Sequence, residues 1–313
     1  MIELINGDCL EEMDKLIERG IKVDAIICDP PYGTTACKWD SIIPFDEHMY
    51  FLINKKSIMK NKQDSIIHLC NEGMEYSKAL QYFENNKELG MWYYLNKLIK
   101  PNGAIVLFGN EPFSSALRMS NIKNYKYDLI WKKNIPTGFF NAKKQQLKIH
   151  ENISIFYNNQ PVYNPQMVKR SEEEYKKNLR INDSECYNPS VYGGGRKKLI
   201  RKTVEEQRYK YPFTICEFKK DRVKTKDKHP TQKPIALMEY LVKTYTNEGE
   251  LVLDFTMGSG STMVACKNTN RNGIGIELDK GYFDISVERV NNVDKPIFIN
   301  KPKKDQFRQG KLY

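Results

Sequence analysis

The sequence has no uninterrupted apolar run long enough to cross a bilayer, so no segment reads as a helical membrane span. It has no C-x-x-C pair either. The seven cysteines (Cys9, Cys28, Cys37, Cys70, Cys186, Cys216 and Cys266) are scattered, and the four histidines do not supply the closely spaced ligands a zinc site needs. No metal is expected, and the thiols read as free and buried in a reducing compartment. The opening Met1-Ile2-Glu3-Leu4-Ile5-Asn6-Gly7-Asp8 lacks the basic start and apolar core of a secretory signal, so a soluble, cytoplasmic protein is expected. No internal repeat is visible in the 313 residues, enough for one large α/β domain or such a domain with a smaller module.

What is present in excess is positive charge, +11 overall. Its placement matters more than its size. Residues 160–228 hold 18 Lys/Arg against 10 Asp/Glu, so most of the surplus lies in one stretch. Clustered cations are the footprint expected for a phosphate backbone. A solvated lysine-rich surface explains the charge equally well, because Lys and Asn are abundant throughout.

Short β-branched runs at 23–28, 104–108, 153–157, 251–253 and 274–276 read as buried strands of a parallel sheet. Helical patterns lie between some of them, at 91–99 ahead of a Pro101-Asn102-Gly103 turn and at 235–242 after Pro234. This alternation argues for a doubly wound α/β sheet. Two segments break the rhythm: a polar, helical-looking insertion at 54–90, and the basic, Tyr- and Pro-rich stretch 160–228.

Directly after the 23–28 strand stands Asp29-Pro30-Pro31-Tyr32. In an open α/β sheet ligands bind beyond the carboxyl ends of the strands, so this tetrapeptide falls where chemistry is expected. Two prolines fix the backbone and remove its donors, leaving the Asp29 carboxylate and the Pro30 carbonyl as paired acceptors. An amino group has two N–H donors, and the pair can take both. An aromatic amine is a poor nucleophile because its lone pair is delocalised; accepting both hydrogens localises that pair and stabilises the developing charge. The Tyr32 ring can stack on a base turned out of a duplex. Taken alone, a Pro-rich turn with Asp29 as turn former is the stronger reading.

The second loop, Asp254-Phe255-Thr256-Met257-Gly258-Ser259-Gly260-Ser261-Thr262, follows the 251–253 strand. Its small residues admit a ligand close to the backbone, and a helix starting near Ser261 can point its N-terminus at an anion. The next strand ends in Glu277, placed to accept both hydroxyls of a ribose. Met263 stands where a dinucleotide fingerprint wants a third glycine, so a nucleoside is favoured over a dinucleotide.

Together these segments resemble the β class of amino-methylating DNA methyltransferases. Asp29-Pro30-Pro31-Tyr32 resembles that family's catalytic motif, and the stretch from Phe255 to Gly260 its cofactor loop. Lys228-His229-Pro230-Thr231-Gln232-Lys233-Pro234 resembles the element that holds the methionine end of the cofactor, and Asn6-Gly7-Asp8-Cys9 the segment beside its adenine. The resemblance implies a doubly wound, Rossmann-like S-adenosylmethionine-dependent fold, circularly permuted, with a smaller inserted target-recognition region. It implies Asp29, Pro30, Pro31 and Tyr32 as catalytic residues. As cofactor contacts it implies Asp8, Cys9, Thr231, Lys233, Asp254, Phe255, Gly258, Ser259, Gly260, Ser261, Thr262 and Glu277. The expected organisation is a catalytic half at 1–159 with the insertion 54–90, target recognition at 160–228, a cofactor half at 229–294 and a basic tail at 295–313.

The implied activity is transfer of a methyl group to the N6 of a flipped adenine in double-stranded DNA, since in this family an Asp at the first catalytic position mostly accompanies adenine and a Ser mostly cytosine N4. A bacterial or phage-encoded, nucleoid-associated enzyme is implied, with dimerisation and a cognate restriction endonuclease carried as analogy. N4-cytosine methylation, an RNA base, a protein glutamine and a non-catalytic DNA-binding role are the alternatives.

Overall fold

Strands form where short β-branched runs recur, and helices where apolar residues return at helical spacing. The computed structural model describes residues 1–33, 42–43, 45, 75, 90–182, 207–220 and 232–294. The expected insertion and the basic tail lie outside the described residues, except for Glu75 and Gly90. In chain order the strands are β1 (Ile2–Asn6), β2 (Val23–Cys28), β3 (Ile99–Gly109), β4 (Tyr125–Thr137), β5 (Lys148–Phe156), β6 (Val168–Lys169), β7 (Tyr209–Lys210), β8 (Ile215–Glu217), β9 (Leu251–Asp254) and β10 (Asn272–Glu277). The helices are α1 (Cys9–Glu18), α2 (Met91–Leu98), α3 (Phe113–Ser120), α4 (Glu172–Asn182), α5 (Ile235–Tyr245), α6 (Ser261–Asn268) and α7 (Lys280–Asn291). No helix among the described residues is long and apolar enough to cross a membrane.

The main sheet runs β1-β10-β9-β2-β3-β5-β4-β8. Neighbours from β1 to β3 are parallel, as expected for strands joined through helices. The 153–157 run departs from the parallel expectation. It lies in β5, which is antiparallel to both β3 and β4. The connection from β4 to β5, residues 138–147, is too short for the crossover that a parallel return requires. The expected Pro101-Asn102-Gly103 turn is an irregularity inside β3, where Val23 pairs with Ile99 but Ala25 with Ala104.

Helices cover both faces. Met13 and Leu16 of α1, Leu95 and Leu98 of α2 and Leu117 of α3 pack with Ile26 and Leu107. On the other face Leu237 and Leu241 of α5 and Val264 and Ala265 of α6 pack with Ile27 and Val106. Two glycines in β10 make room for this second layer. A Cβ at Gly275 would come within 2.3 Å of the Met257 sulfur, and one at Gly273 within 2.8 Å of the Met263 sulfur. The methionine that breaks the dinucleotide fingerprint is therefore a core residue seated against the sheet.

The chain divides into two compact units, Met1–Asn164 with Thr214–Tyr313, and Pro165–Phe213. The second is narrower than the 160–228 stretch. Thr214 onward returns to the main sheet, where β8 pairs with β4 and the Trp131 indole donates to the Phe218 carbonyl at 2.9 Å. Within the second unit β6 pairs with β7, and Ser171 and Glu174 form a reciprocal capping box at the start of α4.

Candidate active site

β2 and β9 are parallel neighbours, so the loops that leave their carboxyl ends emerge side by side although more than 200 residues separate them in the chain. Asp29 follows β2. Its main-chain carbonyl accepts from the Thr256 hydroxyl at 3.1 Å, and the same hydroxyl lies 2.9 Å from the Cys28 sulfur. These contacts tie the two loops together at their roots. The Asp29 carboxylate takes the Tyr32 hydroxyl on Oδ1 and the Lys233 ammonium on Oδ2. Pro30 is buried, and its carbonyl accepts no hydrogen bond among the described residues. The Tyr32 ring lies against Phe113, centroids 5.1 Å apart.

Behind Asp29 runs a line of alternating charge. Lys233 lies 3.3 Å from Glu151 Oε2, and Lys133 donates to Glu151 Oε1 at 3.0 Å. Lys233 also sits over the rings of Phe108, at 5.0 Å, and Tyr32, at 5.9 Å. Burial pushes the Asp29 carboxyl above its ordinary value; Lys233 pulls it back and Glu151 adds to the push. Burial acts on Glu151 in the same sense, but Lys233 and Lys133 together outweigh it and hold that carboxyl at about 2. Burial also drives the Tyr32 phenol well above its ordinary value, helped by the Asp29 charge. Tyr32 is thus a neutral donor at any working pH.

The second loop is built differently. Asp254 closes β9 and is buried, accepting from Thr256 N at 3.2 Å and from the Thr262 hydroxyl. Its partners are uncharged, and burial pushes it up to about 7. Gly260 adopts φ +76°, and a Cβ there would meet that of Ser286 at 2.9 Å, so the turn into α6 needs glycine twice over. Arg289 of α7 donates to the Ser259 carbonyl and to its hydroxyl, the latter at 2.7 Å, and reaches Ser261. Glu277 closes β10 and accepts from Gly258 N at 2.9 Å and Asp279 N at 2.8 Å, one bond on each oxygen. Each oxygen keeps acceptor capacity for a further donor.

The expected residues fall into three groups. Asp29, Pro30, Pro31 and Tyr32 come together at the carboxyl end of the central strand β2, with Lys233 on Asp29. Glu277, at the end of β10, holds Gly258 of the loop, and Asp8 follows the adjacent β1 on the far side of β10. Asp8 also caps α1, accepting from Leu10 N at 2.9 Å. Cys9, Asp254, Phe255 and Thr262 are core or near-core side chains at the foot of the loops. Thr231 lies outside the described residues. Gln232 reaches the Ser259 hydroxyl at 3.2 Å, whereas the ammonium of its neighbour Lys233 goes to Asp29. Glu151, Lys133 and Arg289 were not anticipated. Glu151 stands between His150 and Asn152, ahead of the apolar run, so no local pattern marked it.

A family model described as DNA methylase, the N6/N4 methyltransferases, matches residues 23–288. The chain belongs to the N6/N4 DNA methylase family. Among curated relatives, the type II methyltransferase M.HpaI of Haemophilus parainfluenzae is 39% identical over 93 residues, 29% of this chain and 30% of that protein's own length. Among solved structures, an M1.HpyAVI–SAM complex matches with a TM-score of 0.53 and 25% identity, covering 93% of this methylase and 100% of that chain. The cytosine-N4-specific PvuII DNA methyltransferase matches at 12% identity with a TM-score of 0.52, covering 95% and 88%, a likeness of fold. The doubly wound sheet of this methylase is accordingly the Rossmann-like methyltransferase fold.

Proposed function

We propose that this methylase transfers the methyl group of S-adenosylmethionine to the N6 amino group of an adenine flipped out of double-stranded DNA. The observation that carries the reading is the pairing of β2 with β9, which sets a half-buried carboxylate acceptor beside a glycine-bearing nucleoside loop. The residues present fit the cofactor. Glu277 offers both oxygens to ribose hydroxyls, Asp8 stands at the end of the adjacent strand, and Gly258 to Ser261 admit a ligand close to the backbone. When bound, S-adenosylmethionine supplies an electrophilic methyl carbon on a sulfonium.

The protein's part is to make the amine a nucleophile. Asp29 and the Pro30 carbonyl accept its two N–H groups, and Tyr32 stacks on the base. The nitrogen–methyl bond forms as the sulfur–methyl bond breaks, and the surplus amino proton passes to Asp29 or water. Asp29, rather than a serine, at the first catalytic position supports adenine over cytosine. The Pro165–Phe213 unit, inside the most basic stretch of the chain, is the proposed reader of the target sequence. Methylome sequencing of DNA from cells expressing the protein is expected to show N6-methyladenine at one recurring motif. Folded protein with no modified adenine would refute the assignment.

A further inference from the structure

We propose that Lys233 and Glu151 are positioning residues for Asp29. A chain of alternating charge, Lys133–Glu151–Lys233–Asp29, whose first three members are buried, fixes that carboxylate in its ionised, accepting form, with Lys233 acting directly and Glu151 through Lys233. The inference rests on the reading of Asp29 as the acceptor of the amino group.

The chain is assembled from four separate elements. Lys133 lies on β4, Glu151 on β5, Lys233 just ahead of α5, and Asp29 after β2. The antiparallel return of β5 puts Glu151 beside β4, where Trp131 pairs with it in register and Lys133 reaches its Oε1. Lys133, Glu151 and Lys233 are each less than a tenth exposed. Such an arrangement is a poor way to stabilise a fold. Desolvating two charges costs several kcal/mol per ion, about what their attraction returns, and apolar side chains of similar size commonly do better. Glu151 Oε2 illustrates the cost: it is buried, and its 3.3 Å approach to Lys233 lacks the geometry of a hydrogen bond.

What the chain does accomplish is local. A lone Asp29 in this setting would tend to hold its proton and become a donor, useless for accepting an amino hydrogen. Lys233 keeps it charged. Lys233 is in turn held by a second carboxylate, so its ammonium cannot swing away toward the substrate. With Oδ2 occupied by Lys233, the Oδ1 side, where the neutral Tyr32 hydroxyl alone is bound among the described residues, is left for the incoming amino group. Among the described residues, the titratable groups facing this centre are Tyr32 in its own loop, Cys28 on β2, Asp254 on β9, Glu151 on β5, and Lys133 and Lys233. Lys148 and Lys220 act on Glu151 from further out.

The test is single-turnover methyl transfer to DNA as a function of pH, with S-adenosylmethionine affinity measured on the same proteins. For Lys233→Met, the acid limb of the rate profile is expected to rise by roughly one pH unit or more, because Asp29 loses its cation. Cofactor affinity is expected to stay unchanged, and Lys233→Arg to restore the limb. For Glu151→Gln, the rate is expected to fall about tenfold or more from mispositioning. Its acid limb should move down, since a negative neighbour of Asp29 has been removed. These opposite limb shifts are a signature that general damage to the fold would not produce.

If Lys233→Met weakens cofactor binding with the limb unmoved, Lys233 is a cofactor contact and the proposal is overturned. Should Lys233→Met fail to fold, Glu151→Gln decides alone, and a wild-type rate there overturns the proposal. Failure of the underlying reading looks different: the wild-type protein would transfer no methyl to DNA, or Asp29→Ala would transfer it normally.

Discussion

Two aspartates mark the carboxyl ends of neighbouring strands in this methylase, and their surroundings have made different groups of them. Asp29, after β2, meets an ammonium and a phenol and remains partly open to solvent. Asp254, at the end of β9, meets a hydroxyl and a backbone amide, and is sealed at 3% exposure. Burial raises both carboxyls. Only Asp29 has a cation to oppose it, whereas Asp254 is pushed up to about 7. Neighbouring strand ends therefore carry a cation-paired carboxylate in one loop and a carboxyl held only by uncharged donors in the other. The partner set, more than the residue type, assigns the role.

The comparison can be broken at four places. The largest effect is expected at Asp29. Asp29→Ala should lower the single-turnover rate roughly a hundredfold to a thousandfold, the scale of losing one preorganised stabilising group, without loss of cofactor affinity. Next is Glu277→Ala, which removes the proposed ribose acceptor. Titration calorimetry should show S-adenosylmethionine binding weakened about tenfold to a hundredfold, with the rate at saturating cofactor retained. Loss of rate without loss of affinity would move Glu277 out of the cofactor site.

A smaller effect concerns pH. Asp29 must be ionised to accept, and its carboxyl lies above the ordinary 3.8. Activity should therefore fail on acidification at a higher pH than a free aspartate titrates, and an acid limb at 3.8 would contradict the account. The smallest effect is on stability. Asp254 titrates near 7 when folded against 3.8 in the unfolded chain, so its protonated form favours the fold. That contribution is complete below 3.8 and is lost as pH rises through 7. Melting curves should show the wild-type protein losing a few degrees relative to Asp254→Asn across that window. A pH-independent difference would mean that Asp254 is ionised in the folded protein.

What could be read from the sequence, and what could not, follows the same division. The Asp29 and Phe255–Gly260 loops were legible because strand, turn and small residues are local patterns. Glu277 was legible because an acidic residue closes the next strand. The direction of β5 was not, since an apolar run carries no sign of its polarity. Nor was the line from Lys133 to Asp29. Its members lie far apart in the chain, and they meet only because β5 returns between β3 and β4 while β2 lies beside β3. The pairing of Lys233 was hidden for a related reason: its segment resembles a cofactor element, and Gln232 does reach that loop, but adjacent side chains diverge and the ammonium goes to Asp29. Arg289 was hidden because a single cation on a helix does not announce which loop it braces.

The central claim is amino-group methylation with Asp29 as acceptor. It is tested most directly by incubating plasmid DNA and methyl-labelled S-adenosylmethionine with the wild-type protein and with Asp29→Ala, then hydrolysing the DNA to nucleosides. The account predicts label in N6-methyl-2′-deoxyadenosine from the wild type and essentially none from the variant. Label in N4-methyl-2′-deoxycytidine would overturn the base, and equal label from both proteins would contradict the role of Asp29.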